Sequence, residues 1–248
     1  MRRDKYAVAL PGFLLGLGKG FLERYAAMEN HIVIAANRDP EHPTSKALKD
    51  LPTGNGSRII VVKLDASVES DAAAAIQKLV STQEIDHLDI VIANAGIAYM
   101  YPTVSELKTS DLLAHMTPNV FGLVWLFQAT RPLLKRSPNP KWVTMGSGAA
   151  WLENMIPAPN AAYAPTKTMA HWITKRIDGE ETWLTAIVAD PGWVQTDMGN
   201  TSARFFGFQE APDGIERSCN GIVKVIDVAG KETHGGKMWS YEGKQRAW

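Results

Sequence analysis

The chain has 248 residues, with 26 Lys plus Arg against 26 Asp plus Glu and 45% hydrophobic residues. A formal charge of zero excludes a basic field for nucleic acid or an anionic membrane surface. One cysteine, Cys219, excludes an intramolecular disulfide and a cysteine-based zinc site. No apolar run approaches the roughly 20 residues that span a bilayer, and Pro11, Gly12, Gly16 and Gly18 interrupt the apolar stretch behind the basic start. One cytoplasmic domain over residues 1–248 is expected, with no membrane partner.

Short apolar, β-branched runs recur at 6–10, 31–36, 58–64, 88–93, 142–145 and 185–188. Near-continuous apolar strands of this kind are buried on both faces, as in a parallel sheet covered by helices. Between them, 68–80 and 111–134 carry helical periodicity. The alternation predicts an α/β fold, a single doubly wound Rossmann-type domain with a parallel sheet. Residues 153–160 and 200–214 break the rhythm after predicted strands and are expected as loops around a pocket, where ligands of open α/β sheets bind.

The first run ends in Pro11-Gly12-Phe13-Leu14-Leu15-Gly16-Leu17-Gly18. Glycines at 12, 16 and 18 let the chain turn tightly and let a pyrophosphate approach backbone N–H groups at a helix N-terminus. Their G-x-x-x-G-x-G spacing also fits a plain strand-to-helix turn. At the end of the second run stands Asn37-Arg38-Asp39. An acidic residue there binds the ribose hydroxyls of NAD, whereas an arginine accommodates the 2′-phosphate of NADP. Arg38, with its planar fork, points to NADP(H), and Asp39-Pro40 to a turn.

Tyr163-Ala164-Pro165-Thr166-Lys167 is a Y-x-x-x-K, and no other of the six tyrosines has a lysine four residues on. On a helix this spacing puts both side chains on one face. A phenol titrates near pH 10, and an adjacent ammonium favours its ionised form, so Lys167 is expected to pull Tyr163 down. Upstream lie Ala93-Asn94-Ala95-Gly96, Asn119-Val120-Phe121-Gly122 and Gly146-Ser147-Gly148. Downstream comes Asp190-Pro191-Gly192-Trp193-Val194-Gln195-Thr196-Asp197-Met198.

In this order the set resembles the short-chain dehydrogenase/reductase family over essentially the whole chain. The downstream stretch and residues 236–243 are similar to fungal carbonyl reductases of the norsolorinic-acid ketoreductase type. The resemblance implies NADPH-dependent reduction of a ketone by a homodimer or homotetramer. It implies that Tyr163 exchanges a proton with substrate, Lys167 also holds the nicotinamide ribose, Ser147 positions the substrate oxygen and Asn119 holds a relay water. It further implies a cofactor site of Gly12, Leu15, Gly16, Leu17, Arg38, Asp65, Asn94, Ala95, Gly96, Tyr163, Lys167, Pro191, Gly192, Val194 and Thr196, with Thr196 at the carboxamide.

The chain departs from the family pattern at Pro11, at the apolar Phe13-Leu14-Leu15, and at Met145-Gly146, where a serine pair is common. Pro165 requires that Y-x-x-x-K occupy the first turn of its helix, with Asn160 as a candidate cap. The six histidines show no metal-ligand spacing and are expected to be structural or exposed, and Cys219 a small buried hydrophobe. Trp151, Met155, Trp193, Met198 and Phe205 give the two pocket segments apolar and aromatic walls, suited to a bulky hydrophobic ketone. The alternative is an NADP(H)-binding scaffold that steers a non-redox cyclisation or isomerisation in a fungal biosynthetic pathway, a reading kept open by Phe13-Leu14-Leu15.

Overall fold

The computed structural model describes residues 5–11 as backbone and residues 16–248 with their side chains. Gly12 and Leu15, expected at the cofactor, and the Phe13-Leu14-Leu15 departure lie outside the described residues. β1 (Lys5–Pro11) precedes α1 (Leu17–Ala27), and β2 (His31–Asn37) leads through the one-turn α2 (Pro43–Lys46) to β3 (Arg58–Lys63). α3 (Glu69–Gln83) and β4 (Ile90–Ala93) follow. α4 (Thr109–Met116) then runs through a π-helical turn, Thr117–Phe121, into α5 (Gly122–Leu134). The second half comprises β5 (Lys141–Met145), α6 (Ala164–Glu180), β6 (Thr185–Asp190), α7 (Asp197–Phe205), α8 (Ile215–Val228), α9 (Lys231–His234), β7 (Met238–Ser240) and β8 (Gln245–Arg246).

The strands form one sheet in the order β3-β2-β1-β4-β5-β6-β7-β8. Pairing is parallel from β3 to β7, and β8 returns antiparallel on β7. Every residue of β2, β5 and β6 is buried, because helices cover both faces of the sheet. Side-chain alternation divides β2 between two cores. Ile32, Ile34 and Ala36 join Leu79 of α3, Leu126 of α5 and Ile177 of α6 on one side. Val33 and Ala35 join Phe21 of α1 and Ile222 of α8 on the other. Strand order reverses between β1 and β4, so a crevice opens there at the carboxyl ends of the strands.

Three expectations need correction. β7 and β8 extend the sheet beyond the six expected runs, since strands of three and two residues carry no periodic signal. Residues 200–214 are not wholly loop. They begin inside α7, which starts because the Thr196 hydroxyl accepts the Gly199 N–H at 3.1 Å as an N-cap. Asn160 does not cap α6 with its side chain, whose Oδ1 is buried without a partner. Its carbonyl instead accepts the Ala164 N–H at 3.1 Å, and Tyr163 is the capping residue, with Pro165 in the first turn.

Candidate active site

One face of α6 grips the end of β5. Tyr163, Lys167, His171 and Thr174 follow one another at helical spacing. Thr174 Oγ1 pairs with Thr144 Oγ1 at 2.6 Å, Lys167 Nζ donates to the Met145 carbonyl at 2.9 Å, and His171 Nε2 accepts the Ser147 N–H at 3.3 Å. β5 ends at Met145, so Ser147 stands at the mouth of the crevice. Its Oγ accepts the Ala149 N–H at 3.1 Å and its hydroxyl is hydrogen-bonded to the Tyr163 phenol. The structure therefore brings Ser147, Tyr163 and Lys167 together.

Asn119 joins them from the π-helical turn between α4 and α5. Its Nδ2 donates to the Ile97 carbonyl and to Thr166 Oγ1, each at 3.0 Å, and its Oδ1 accepts the Ile97 N–H at 2.8 Å. Thr166 Oγ1 in turn donates to the Tyr163 carbonyl at 2.7 Å. The Asn119 side chain is thus spent on clamping the Asn94-Ala95-Gly96 loop to α6. Beside it, a cavity of about 10 Å³ is lined by Asn119, Lys167, Met145 and Ala95. That is close to the smallest space that holds one water.

Burial sets the ionisation of this cluster. The Tyr163 phenol is pushed above its ordinary value chiefly by burial, with the Ser147 hydrogen bond opposing and Tyr101 and Asp190 adding to the rise. Lys167 is pushed down to about 8 by burial. The expected lowering of Tyr163 by Lys167 is therefore not found. The ammonium lies 5.8 Å from the phenol ring centroid and bonds a carbonyl, while water has been taken from both groups. Asp190, at the end of β6, is raised chiefly by burial, and it accepts the N–H groups of Gly148 and Gly192, the latter at 3.1 Å.

Several of the expected cofactor residues that are described stand near the same cluster. Gly16 has φ +71°, and a Cβ there would come 2.8 Å from Thr196 Cγ2, so Gly16 lies against the residue expected at the carboxamide. Leu17 opens α1. Gly96 passes so near this cluster that a Cβ would stand 3.4 Å from Lys167 Nζ. Asn94 and Ala95 follow β4 directly. Pro191, Gly192 and Val194 follow β6, and Val194 bridges to Asp213. Gly192 has φ +80°, and Asp213 holds its successor by accepting the Trp193 N–H at 2.9 Å and the Tyr241 hydroxyl at 2.7 Å. At the far end, Arg38 is exposed and makes no ion pair among the described residues, and Asn37 Nδ2 beside it is buried without a partner. Asp65 accepts the Ser67 N–H at 2.8 Å and so shapes the turn after β3. This cradle, with an orphaned amide at the end of β2, fits a dinucleotide.

Opposite Tyr163 stands an aromatic wall. Tyr101 packs on Phe205 and Phe206 with centroids at 5.0 and 5.3 Å, and Trp193 meets Phe206 and Phe208 at 6.4 and 5.5 Å. The Trp193 indole donates to Ser202 Oγ at 2.7 Å, which ties the wall to α7. Met198 is half-buried in the first turn of α7, and Met155 is exposed on the 151–160 segment. Trp151 instead stacks beneath the Arg246 guanidinium at 5.7 Å, behind the Ser147 turn. Sequence reasoning missed Tyr101, Thr166, His171, Asp190 and Asp213. Only Tyr101 carried a readable signal, as an aromatic a few residues beyond the Asn94-Ala95-Gly96 loop.

A family model described as short chain dehydrogenase matches residues 7–205. The chain belongs to that family, and its class is oxidoreductase. Norsolorinic acid ketoreductase of Dothistroma septosporum is 40% identical over 250 residues, covering 99% of this chain and 92% of that protein. The norsolorinic acid ketoreductase of Aspergillus parasiticus is 38% identical over 238 residues, covering 94% and 88%. In fold, the chain is similar to an NADPH-bound carbonyl reductase from chicken fatty liver, with a TM-score of 0.85, 23% identity and full coverage of both chains.

Proposed function

We propose that the chain is an NADP(H)-dependent ketoreductase acting on a bulky hydrophobic ketone of secondary metabolism. The observation that carries the reading is the hydrogen-bonded Ser147–Tyr163 hydroxyl pair, with Lys167 beside it and an aromatic wall opposite. The relatives at 38–40% identity are named norsolorinic acid ketoreductases, which supports a ketone substrate. Arg38 would take the 2′-phosphate, Gly16 and Leu17 the pyrophosphate, and Thr196 and Lys167 the nicotinamide end. When bound there, the cofactor would supply the hydride for the carbonyl carbon.

The protein's own residues manage the oxygen. Ser147 donates to the substrate carbonyl and fixes it against Tyr163. Because burial keeps the Tyr163 phenol protonated, it stands as a loaded general acid that gives its proton to the developing alkoxide. The phenolate left behind is stabilised by the nearby Lys167 ammonium. The Lys167 ammonium then returns a proton to the phenolate and takes one from solvent through a water in the cavity beside Asn119. Tyr163→Phe tests this assignment. Turnover should fall by about 10²–10⁴-fold, the usual contribution of a general acid, with NADPH affinity measured by fluorescence unchanged. Turnover at the parent rate would remove Tyr163 from the mechanism.

A further inference from the structure

We propose that His171 is a positioning residue for Ser147, acting through the Ser147 main chain. The proposal rests on the reductase reading above. His171 is 3% exposed, and its Nε2 accepts the Ser147 N–H. A backbone N–H has only a proton to give, so Nε2 carries none and the ring proton is on Nδ1. A doubly protonated imidazole has no acceptor and would release Ser147. The residue before Ser147 belongs to the same device. A Cβ at Gly146 would come 2.6 Å from His171 Nε2 and 2.4 Å from Val188 Cγ1, so only a residue without a side chain lets the ring reach the turn. The Gly146 that replaces a serine and the histidine that looked merely structural are one feature.

Burial, and then the Lys167 charge, favour the neutral ring. Lys167 lies one helical turn earlier on α6, committed to the Met145 carbonyl. The Trp248 ring stands 6.0 Å away, and Lys175 sits 4.8 Å above that indole. From β6, Asp190 takes the next N–H, that of Gly148. Two successive N–H groups are thus held, His171 on Ser147 and Asp190 on Gly148, beside the hydrogen bond between the Ser147 hydroxyl and Tyr163. His171 touches no reacting atom. Its effect is to remove the freedom of the turn that carries one.

Two measurements on the full chain test the proposal. In ¹⁵N NMR without ligand, His171 should show the Nδ1–H tautomer between about pH 5 and 8. The Ser147 amide should shift in His171→Leu and stay near its parent position in His171→Gln, whose Oε1 replaces the acceptor. In steady-state reduction of 1-tetralone by NADPH, His171→Leu should lower kcat about tenfold, short of the roughly hundredfold that a full ångström of misplacement costs, with KM for NADPH unchanged. His171→Gln should recover to within about threefold of the parent, and in a Ser147→Ala background His171→Leu should have no further effect. Additive losses in both backgrounds, a glutamine no better than leucine, or an Nε2–H tautomer would each overturn it. A parent that fails to reduce 1-tetralone while keeping the tautomer and the Ser147 shift would count against the reductase reading and not against the hold on Ser147.

Discussion

Desolvation, more than the neighbouring ammonium, governs the acid–base character of the residues in the crevice. It raises Tyr163 and lowers Lys167 to about 8, so the phenol holds its proton until an alkoxide asks for it. Burial, followed by the Lys167 charge, pushes His171 down to about 3. This has a consequence for stability. Between pH 6.5 and about 3 the unfolded chain binds a proton at residue 171 that the native protein refuses. The contribution of the neutral ring is therefore present above pH 6.5 and is lost as pH falls, by at most about 1.4 kcal/mol per pH unit. Thermal unfolding of His171→Gln should show a flatter fall from pH 6 to 4 than the parent, and parallel curves would contradict the assignment. Arg38 makes a second residue-level claim. Arg38→Asp should weaken NADP binding by about 1.5–3 kcal/mol, the usual worth of a charge-assisted pair, and leave NAD binding little changed. Titration calorimetry that shows equal loss for both cofactors would refute its role at the 2′-phosphate.

At the scale of elements, tight approach matters more than loop freedom. α7 is held against the loop after β6 by the Thr196 cap and by the Trp193 indole, which donates to the Gly199 carbonyl at 3.1 Å. A Cβ on Gly199 would stand 1.9 Å from the Val194 carbonyl, so this glycine is a packing requirement and not a hinge. Gly199→Ala should cost about 1–3 kcal/mol as an overpacked contact, seen as a lower Tm. Gly207, with φ +85° and open space around it, should lose less on the same change. An unaltered Tm for Gly199→Ala would contradict the close approach. These contacts explain what the sequence revealed and what it hid. Long apolar runs announced β1 to β6, because burial on both faces leaves a continuous pattern. α7 was hidden because Asp197-Met198-Gly199-Asn200-Thr201 has weak helix formers, and its start is fixed by a cap and an indole contact nine residues apart at most. His171 and Asp190 were hidden for another reason. Their value lies in backbone N–H groups that meet them only after α6 and β6 have packed on β5.

For the whole molecule, the sheet gathers the described residues of the candidate site at one end. β4, β5 and β6 deliver, in chain order, Asn94, Ser147 and the Pro191-Gly192 turn to one crevice, and α6 adds Tyr163 and Lys167. That order was legible from residues alone because each motif sits where a strand ends. The aromatic wall was legible only in part. Phe205 and Trp193 were read from composition, but Tyr101 joins them across the crevice from the loop after β4. The alternative of a non-redox scaffold rests on Phe13-Leu14-Leu15, whereas the proposed reductase rests on Ser147, Tyr163 and Lys167, which the described residues bring together. The most direct measurement is the stoichiometry of the reaction, with NADPH loss followed by absorbance and product by chromatography in the same sample. A fused-ring ketone such as 1-tetralone should yield one alcohol for each NADPH oxidised, and Tyr163→Phe should suppress both together. Product formed with no NADPH consumed would contradict the account and make the protein a cofactor-binding cyclase or isomerase.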